Sequence, residues 1–508
     1  MLLRLSDDIL CDLHDAYDAF ELVTVCQQVA YPPLPFLMGG VHGMPFENMV
    51  YYTTSPSQTW RLLKWRRLCI SGGCSDVVRH LQKKNKMARL VTLKVHWDIP
   101  ADVLQLLPSV ISNGPCIRNF TLMVVPHWTA STSVLNLLLA LGNLAALSCL
   151  TLMVSGTDVG DNEMEVLGQA LTQLVQLRTL KLLVLQTDAT STGMQALATG
   201  VGGLVSLKHL SVTACGSFLV GLSAPASLRS LSLSFLYNDD DMQNYTADLC
   251  KALHKVPKLQ HLSINLCDGD VACALAGTVE FVERLAIQLA DNLRGVADLD
   301  VLGMGLGQRS ALQVLLLGVN GAMEATAEQF TLLSSLSQAP ALVTIGLGLR
   351  NCGLGNPEPP IIGIHNAFPS LQAMRLDLAS NNISDTGAMN LASSIADAPC
   401  LVTLHLDVAD NWISDHGVAC FGRPPRTLRQ YVLNLSHNDA VTLAGASAVQ
   451  VALLSRVNQF VSLTVYTFGL VPNGDAIIRS GQRYDGSCVT CEIPGLICED
   501  CYQHGWGF

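Results

Sequence analysis

The stretch that most limits what this chain can become is a pair of near-identical units in residues 371–418. The first reads LQAMRLDLASNNISDTGAMNLASSIADAP, and 30 residues after its start the second begins as LVTLHLDVADNWISDHGVACF. Leu371, Met374 and Leu376 open one unit; Leu401, Leu404 and Leu406 open the other. An asparagine follows in each, Asn381 and Asn411, and then I-S-D-x-G at 383–387 and 413–417. A short inner strand, a turn whose backbone the asparagine can bond, and a helix returning on the outside account for that order.

The opening triplet recurs from residue 90 onward. Its central residue is Leu93, Phe120, Leu150, Leu180, Leu210, Leu231, Leu262, Leu285, Leu315 and Ile345 before the two clear units, and Tyr431 and Leu463 after them. That makes fourteen candidate units, most of them starting 27 to 32 residues apart. The starts at Leu207 and Leu228, and those at Leu259 and Val282, are closer together, which predicts reduced outer segments there. Amphipathic stretches at 161–174, 242–254 and 440–457 supply helices between strands. Leucine must return at each step because every unit buries its apolar edge only against its neighbours. On these residues the chain resembles the leucine-rich repeat proteins, in their long-repeat, ribonuclease-inhibitor-like subclass. The resemblance implies an α/β solenoid over 90–470, curved, with parallel inner strands and outer helices. It also implies a surface that binds protein partners.

Residues 1–89 lack the triplet. Leu5-Ser6-Asp7-Asp8-Ile9-Leu10-Cys11 sets apolar residues at helical spacing behind a Ser6 start. This run, with Leu22-Val23-Thr24-Val25-Cys26 after it, resembles an F-box, which implies a substrate receptor of a ubiquitin ligase. An F-box would carry a tryptophan soon after Cys26; the proline-rich YPPLPF of 31–36 follows instead. The other reading is a helical cap over the open edge of the first unit, since the ends of such arrays must be covered for solubility. The basic, aromatic run at 60–67 reads as a helix with Trp60 and Trp65 inward and its arginines in solvent, or as a dock for an acidic partner.

Thirty basic against 41 acidic residues leave a net charge of −11, which argues against a general nucleic-acid binder. No apolar run approaches the ~18–20 residues of a bilayer span, and the apolar run at the N-terminus is too short for a secretory signal. Thirteen of the 17 cysteines are scattered from Cys11 to Cys420, which predicts the cytoplasm or another reducing compartment. The remaining four, Cys488, Cys491, Cys498 and Cys501, form two C-x-x-C pairs around Pro494-Gly495 in a tail at 471–508. A hairpin there would gather four thiolates around one structural Zn²⁺, leaving no open position for catalysis. Thiols or disulfides are the alternative.

In each unit the residues flanking the central apolar position face away from the core, which gives 28 positions over the fourteen units. Four of them are charged, and all four are cations: Lys94, Lys181, Arg284 and Arg375. His209, His261 and His405 join them, no acid does, and serine, threonine or alanine fills most others. In an acidic chain this bias predicts a surface for an anionic or polar partner; a sparse, solvated strand face is the alternative. No nucleophile pairs with a base at a recognisable spacing. Gly303-Met304-Gly305-Leu306-Gly307 lacks the Lys-Ser/Thr of a phosphate loop. The expectation is a non-enzymatic scaffold for protein partners, or a structural subunit of a larger assembly, with no small-molecule substrate. A ubiquitin-ligase receptor and a component of an RNA–protein assembly are the alternatives.

Overall fold

The computed structural model describes residues 67–70, 91–95, 101–112, 114, 116–124, 131–155, 159–185, 187–235, 242–266, 281–289, 303–319, 336, 339–355, 370–455, 462–466 and 478–480. All of them lie in one compact unit, 49–483. The F-box-like start, most of the expected cap and the four tail cysteines lie outside the described residues.

Sixteen strands form one sheet in strict chain order. They are β1 (Arg67–Ile70), β2 (Thr92–Val95), β3 (Asn119–Val124), β4 (Cys149–Ser155), β5 (Thr179–Leu185), β6 (His209–Ala214), β7 (Ser230–Phe235) and β8 (His261–Leu266). Then come β9 (Arg284–Leu289), β10 (Val314–Val319), β11 (Thr344–Gly348), β12 (Ala373–Asp377), β13 (Thr403–Asp407), β14 (Gln430–Asn434), β15 (Ser462–Tyr466) and β16 (Ile478–Ser480). Strands β1 to β15 are parallel, and β16 ends the sheet antiparallel to β15. Helices α1 (Ala101–Ser112), α2 (Ser131–Leu141), α3 (Asp161–Thr172), α4 (Ser191–Gly202), α5 (Ser217–Gly221), α6 (Met242–His254), α7 (Asp385–Ala396), α8 (Asp415–Cys420) and α9 (Leu443–Leu454) connect them. The three amphipathic stretches read from the sequence are α3, α6 and α9. Between the closely spaced starts at Leu207 and Leu228 the outer segment shrinks to the five-residue α5, whose Phe218 and Leu219 are buried.

Alternation explains the layering. In β13 the buried Leu404 and Leu406 alternate with half-buried Thr403, His405 and Asp407. Burying each leucine contributes roughly 1.5–3 kcal/mol. The strand leucines meet the apolar stripes of the helices, such as Met164, Leu167 and Leu171 of α3, in one cluster continuous from Leu93 to Val465. The sheet starts one strand before the leucine triplets do: Leu68 and Ile70 of β1 pair with Leu93 and Val95 of β2. In sequence Trp65 holds the place of the first leucine, which hides that unit, and Arg67 opens a strand where a helix was expected.

Two ladders of side chains tie one unit to the next. Asn411 is buried; its carbonyl oxygen accepts the backbone N–H groups of Asn381 at 3.0 Å and Ile383 at 2.9 Å, both in the preceding unit. Its amide group donates to the carbonyls of Leu378, Val408 and Ala409, each at 3.0 Å. Asn381 does the same for Cys352 at 2.8 Å, and Asn438 for Asn411 at 3.2 Å. Cys352 stands at the asparagine position one unit earlier, its thiol directed to the Arg350 carbonyl at 3.5 Å. The residue before each of these is left-handed: Asn351, Ser380, Asp410 and His437 have φ between 53° and 59°. That conformation costs a non-glycine residue about 1–2 kcal/mol, and the ladder offsets it.

The second ladder explains I-S-D-x-G. Asp385, at the start of α7, accepts from the Ser414 backbone N–H at 2.7 Å, the Ser414 hydroxyl at 2.5 Å and the Gly417 N–H at 3.1 Å. It therefore caps the helix of the following unit, α8, with a negative charge where N–H groups point outward. Asp161 serves Thr190 ahead of α4 and Gly193 within it in the same way, and Asp415 serves Thr442 ahead of α9. Glycine is required beneath the carboxylate, since a Cβ on Gly417 would come 2.8 Å from Ile413 Cγ2 and 3.0 Å from Asp385 Cα.

Candidate functional site

Successive residues of a strand point to opposite faces. Each strand therefore carries two to four positions on the open face, around its two or three buried ones. All seven basic residues singled out from the sequence occupy such positions: Lys94 on β2, Lys181 on β5, His209 on β6, His261 on β8, Arg284 on β9, Arg375 on β12 and His405 on β13.

The sheet brings some of them together. His209, Ser230, His261 and Arg284 are successive partners across β6 to β9. Lys181 lies on the neighbouring β5, where it pairs with Ser211, two residues along from His209. Lys181, His209, His261 and Arg284 are all exposed. Beside this basic row runs a row of in-register serines, Ser211, Ser232 and Ser263, and then Thr213, Ser234 and Asn265. Arg375 pairs with His405 further along the sheet, and Lys94 stands apart on β2.

The charges in the row act on one another. Although His261 reaches solvent, the loss of water on the packed side of its ring holds the imidazole below its ordinary pKa, Arg284 and His209 push in the same direction, and Glu283 opposes them. Cationic neighbours disfavour a further proton, so His261 becomes charged only on the acid side of the ordinary histidine value.

Counting two open positions per strand missed two features. The third position holds Asp377 on β12 and Asp407 on β13, so the surroundings of Arg375 and His405 are of mixed sign. Both carboxylates hold turns: Asp377 accepts from the Ala379 N–H at 3.2 Å and Asp407 from that of Ala409 at 2.9 Å. Asp407 also accepts from the Asn434 side-chain amide at 3.0 Å. The second feature is a basic edge where β5, β6 and β7 begin. Arg178, Lys208 and Arg229 are stacked by backbone bonds of 2.8 Å to Ser148, Arg178 and Lys208 respectively. The sequence signal was a basic residue two before the central leucine in three successive units. The edge row continues as Gln260 and Glu283, whose side chains bond each other at 3.4 Å.

Among the described residues no group of three or more His, Cys, Asp or Glu is placed to hold a metal ion. Burial, and then Asp377, pushes the Cys352 thiol up to about 12, so it is not a thiolate at neutral pH. The five-residue run 303–307 is a turn of helix with Leu306 buried, not a phosphate loop.

A family model described as a Leucine Rich repeat matches residues 374–392 and 403–422. A sequence comparison with curated proteins finds no match. Among solved structures, the chain is similar to one from the crystal structure of the Rad7 and Elc1 complex in yeast. That match has 16% identity and a TM-score of 0.39, and covers 68% of this chain and 86% of the other. The matched segments of the family model fall on the units whose asparagines and aspartates build the two ladders, and by that agreement the chain is a leucine-rich repeat protein.

Proposed function

We propose that the protein is a non-enzymatic scaffold that holds protein partners as a structural subunit of a larger assembly. One observation carries this reading: a continuous 16-stranded sheet, which from β2 to β15 packs one face into the core and presents mostly polar side chains on the other. Where the two hydrogen-bonded ladders run together, from Cys352 to Thr442, the surface is fixed in advance and loses little freedom on binding, which favours affinity. A few side chains on it should supply most of the energy. The test is affinity purification of the tagged protein from cells that express it. Partners retained at fixed stoichiometry support the reading, and recovery of a lone chain refutes it.

The Leu-x-Asp-Asp-Ile-Leu run at 5–10 supports a narrower second reading, a substrate receptor of a ubiquitin ligase. Co-purification of a Skp-type adaptor that is lost on deleting residues 1–30 would favour it, and an adaptor-free complex would remove it. In either role, the spacing of Cys488, Cys491, Cys498 and Cys501 supports a tail fastened by Zn²⁺.

A further inference from the structure

The cations of β5 to β9 form more than a row. At the edge where the strands begin, Arg178, Lys208 and Arg229 stand on successive units, and on the adjoining open face Lys181 and Arg284 continue the same sign, with His209 and His261 between them. On this part of the sheet the third open position holds Leu183, Thr213, Ser234, Asn265 and Gln288, with no carboxylate. Among the described residues Glu283 is the acid that adjoins it at the edge, and it marks the far end of the edge row. Five of the chain's 30 Lys and Arg residues stand in this strip, in a chain with 41 acidic residues.

We infer that the open face and entry edge of β5 to β9 form a docking strip for an acidic segment of a partner protein. The inference rests on the scaffold reading and deepens it. Charge complementarity selects the sign of the partner: the basic side chains supply attraction and steering, and the serine row beside them supplies hydroxyl donors. Neighbouring strands are ~4.8 Å apart. His209 and Arg284 are three strands apart, about 14 Å, which an extended segment crosses in about four to five residues.

The surroundings of the strip also favour a protein segment over a nucleic acid. The exposed Val175 and Val205, in the turns leading into β5 and β6, lie at the same edge as Arg178 and Lys208. Apolar groups there match side chains of a peptide and find no counterpart in a phosphate backbone. The open-face positions of β6 to β9 contain no Phe, Tyr or Trp, the large rings on which bases stack best, among residues 209–213, 230–234, 261–265 and 284–288.

The test uses the full chain and a charge-reversed variant, Arg178→Glu with Lys208→Glu and Arg229→Glu. All three sites are on the rim, and a urea transition matching that of the wild type confirms folding. A second variant, Arg423→Glu with Arg426→Glu, reverses exposed charge elsewhere. The probe is a fluorescein-labelled oligo-glutamate peptide, compared with oligo-lysine and a single-stranded oligouridylate. The expected result is salt-sensitive binding of oligo-glutamate, at least ~10-fold weaker in the rim variant and unchanged in the second variant. No binding of oligo-glutamate, equal binding by the rim variant, or tighter binding of the RNA overturns the inference. Co-purification separates this from the scaffold reading: partners kept by the rim variant sink the strip alone, and a wild-type chain with no partner sinks the scaffold.

Discussion

Replacing Asn411 by alanine should be the most damaging small change in the array. The substitution removes the acceptor of the Asn381 and Ile383 N–H groups, at 3.0 and 2.9 Å, and the donor to three carbonyls. Asn411 is 5% exposed and Ile383 is 5% exposed, so water has little access to compensate. Each buried N–H left without a partner costs roughly 1–3 kcal/mol. Two of them, with the carbonyls counted as partly relieved, give a loss of about 3–5 kcal/mol. In a repeat array that loss is felt locally, at the interface between the unit of Leu404 and the unit of Met374. Hydrogen exchange reads it directly: protection of the Asn381 and Ile383 amides should fall by roughly 100-fold or more, since ~1.4 kcal/mol is a factor of ten. Amides on β4 to β6 should be unaffected. Unchanged protection at Asn381 and Ile383, or a loss below about 1 kcal/mol, would refute the ladder as the element that fixes the turn.

Gly417→Ala places a methyl group against Ile413 Cγ2 and the backbone of Asp385, and should cost about 1–3 kcal/mol in urea unfolding; a neutral result would mean the helix start can shift freely. Asp385 titrates below the usual carboxylate range: burial pushes it up, but the Ser414 hydroxyl and N–H and the Gly417 N–H outweigh that. A depressed folded pKa contributes stability that is present above the unfolded value of about 3.9 and is lost as pH falls through the folded value. Asp385→Asn should therefore flatten the acid limb of the stability curve below about pH 4, and cost only about 0.5–1 kcal/mol at neutral pH because the site is open to solvent. An acid limb of unchanged slope would exclude the cap as its source. Metal analysis of the intact protein should find zinc that is absent from the Cys488→Ser, Cys501→Ser variant; equal zinc in both would end the tail proposal.

Most of the strand ladder was legible because Leu404, Leu406 and their equivalents are held by the core, and a core slot admits few residue types. The first strand was hidden because Trp65 stands where the triplet wants leucine. The open face was harder. His209, His261 and Arg284 were visible as outward residues, but their alignment depends on register, which pairing of the strands sets. Arg178, Lys208 and Arg229 precede the strands, where no alternation marks them. Asp377 and Asp407 follow the last leucine, and whether the strand reaches them is decided by the turn they hold. I-S-D-x-G was readable as a helix start, yet the reach of Asp385 into the next unit is a fact of three dimensions.

The two sets of bonds between units run in opposite senses. At the turn, Asn411 serves amides that come before it in the chain; at the helix start, Asp385 serves amides that come after it. A cut between these units therefore injures both fragments, leaving the leading piece with orphaned donors at Asn381 and Ile383 and the trailing piece with orphaned donors at Ser414 and Gly417. Between these two units there is no blunt joint at which the array can be cut without cost, so deleting or transplanting either one demands a purpose-made stopper on each raw surface.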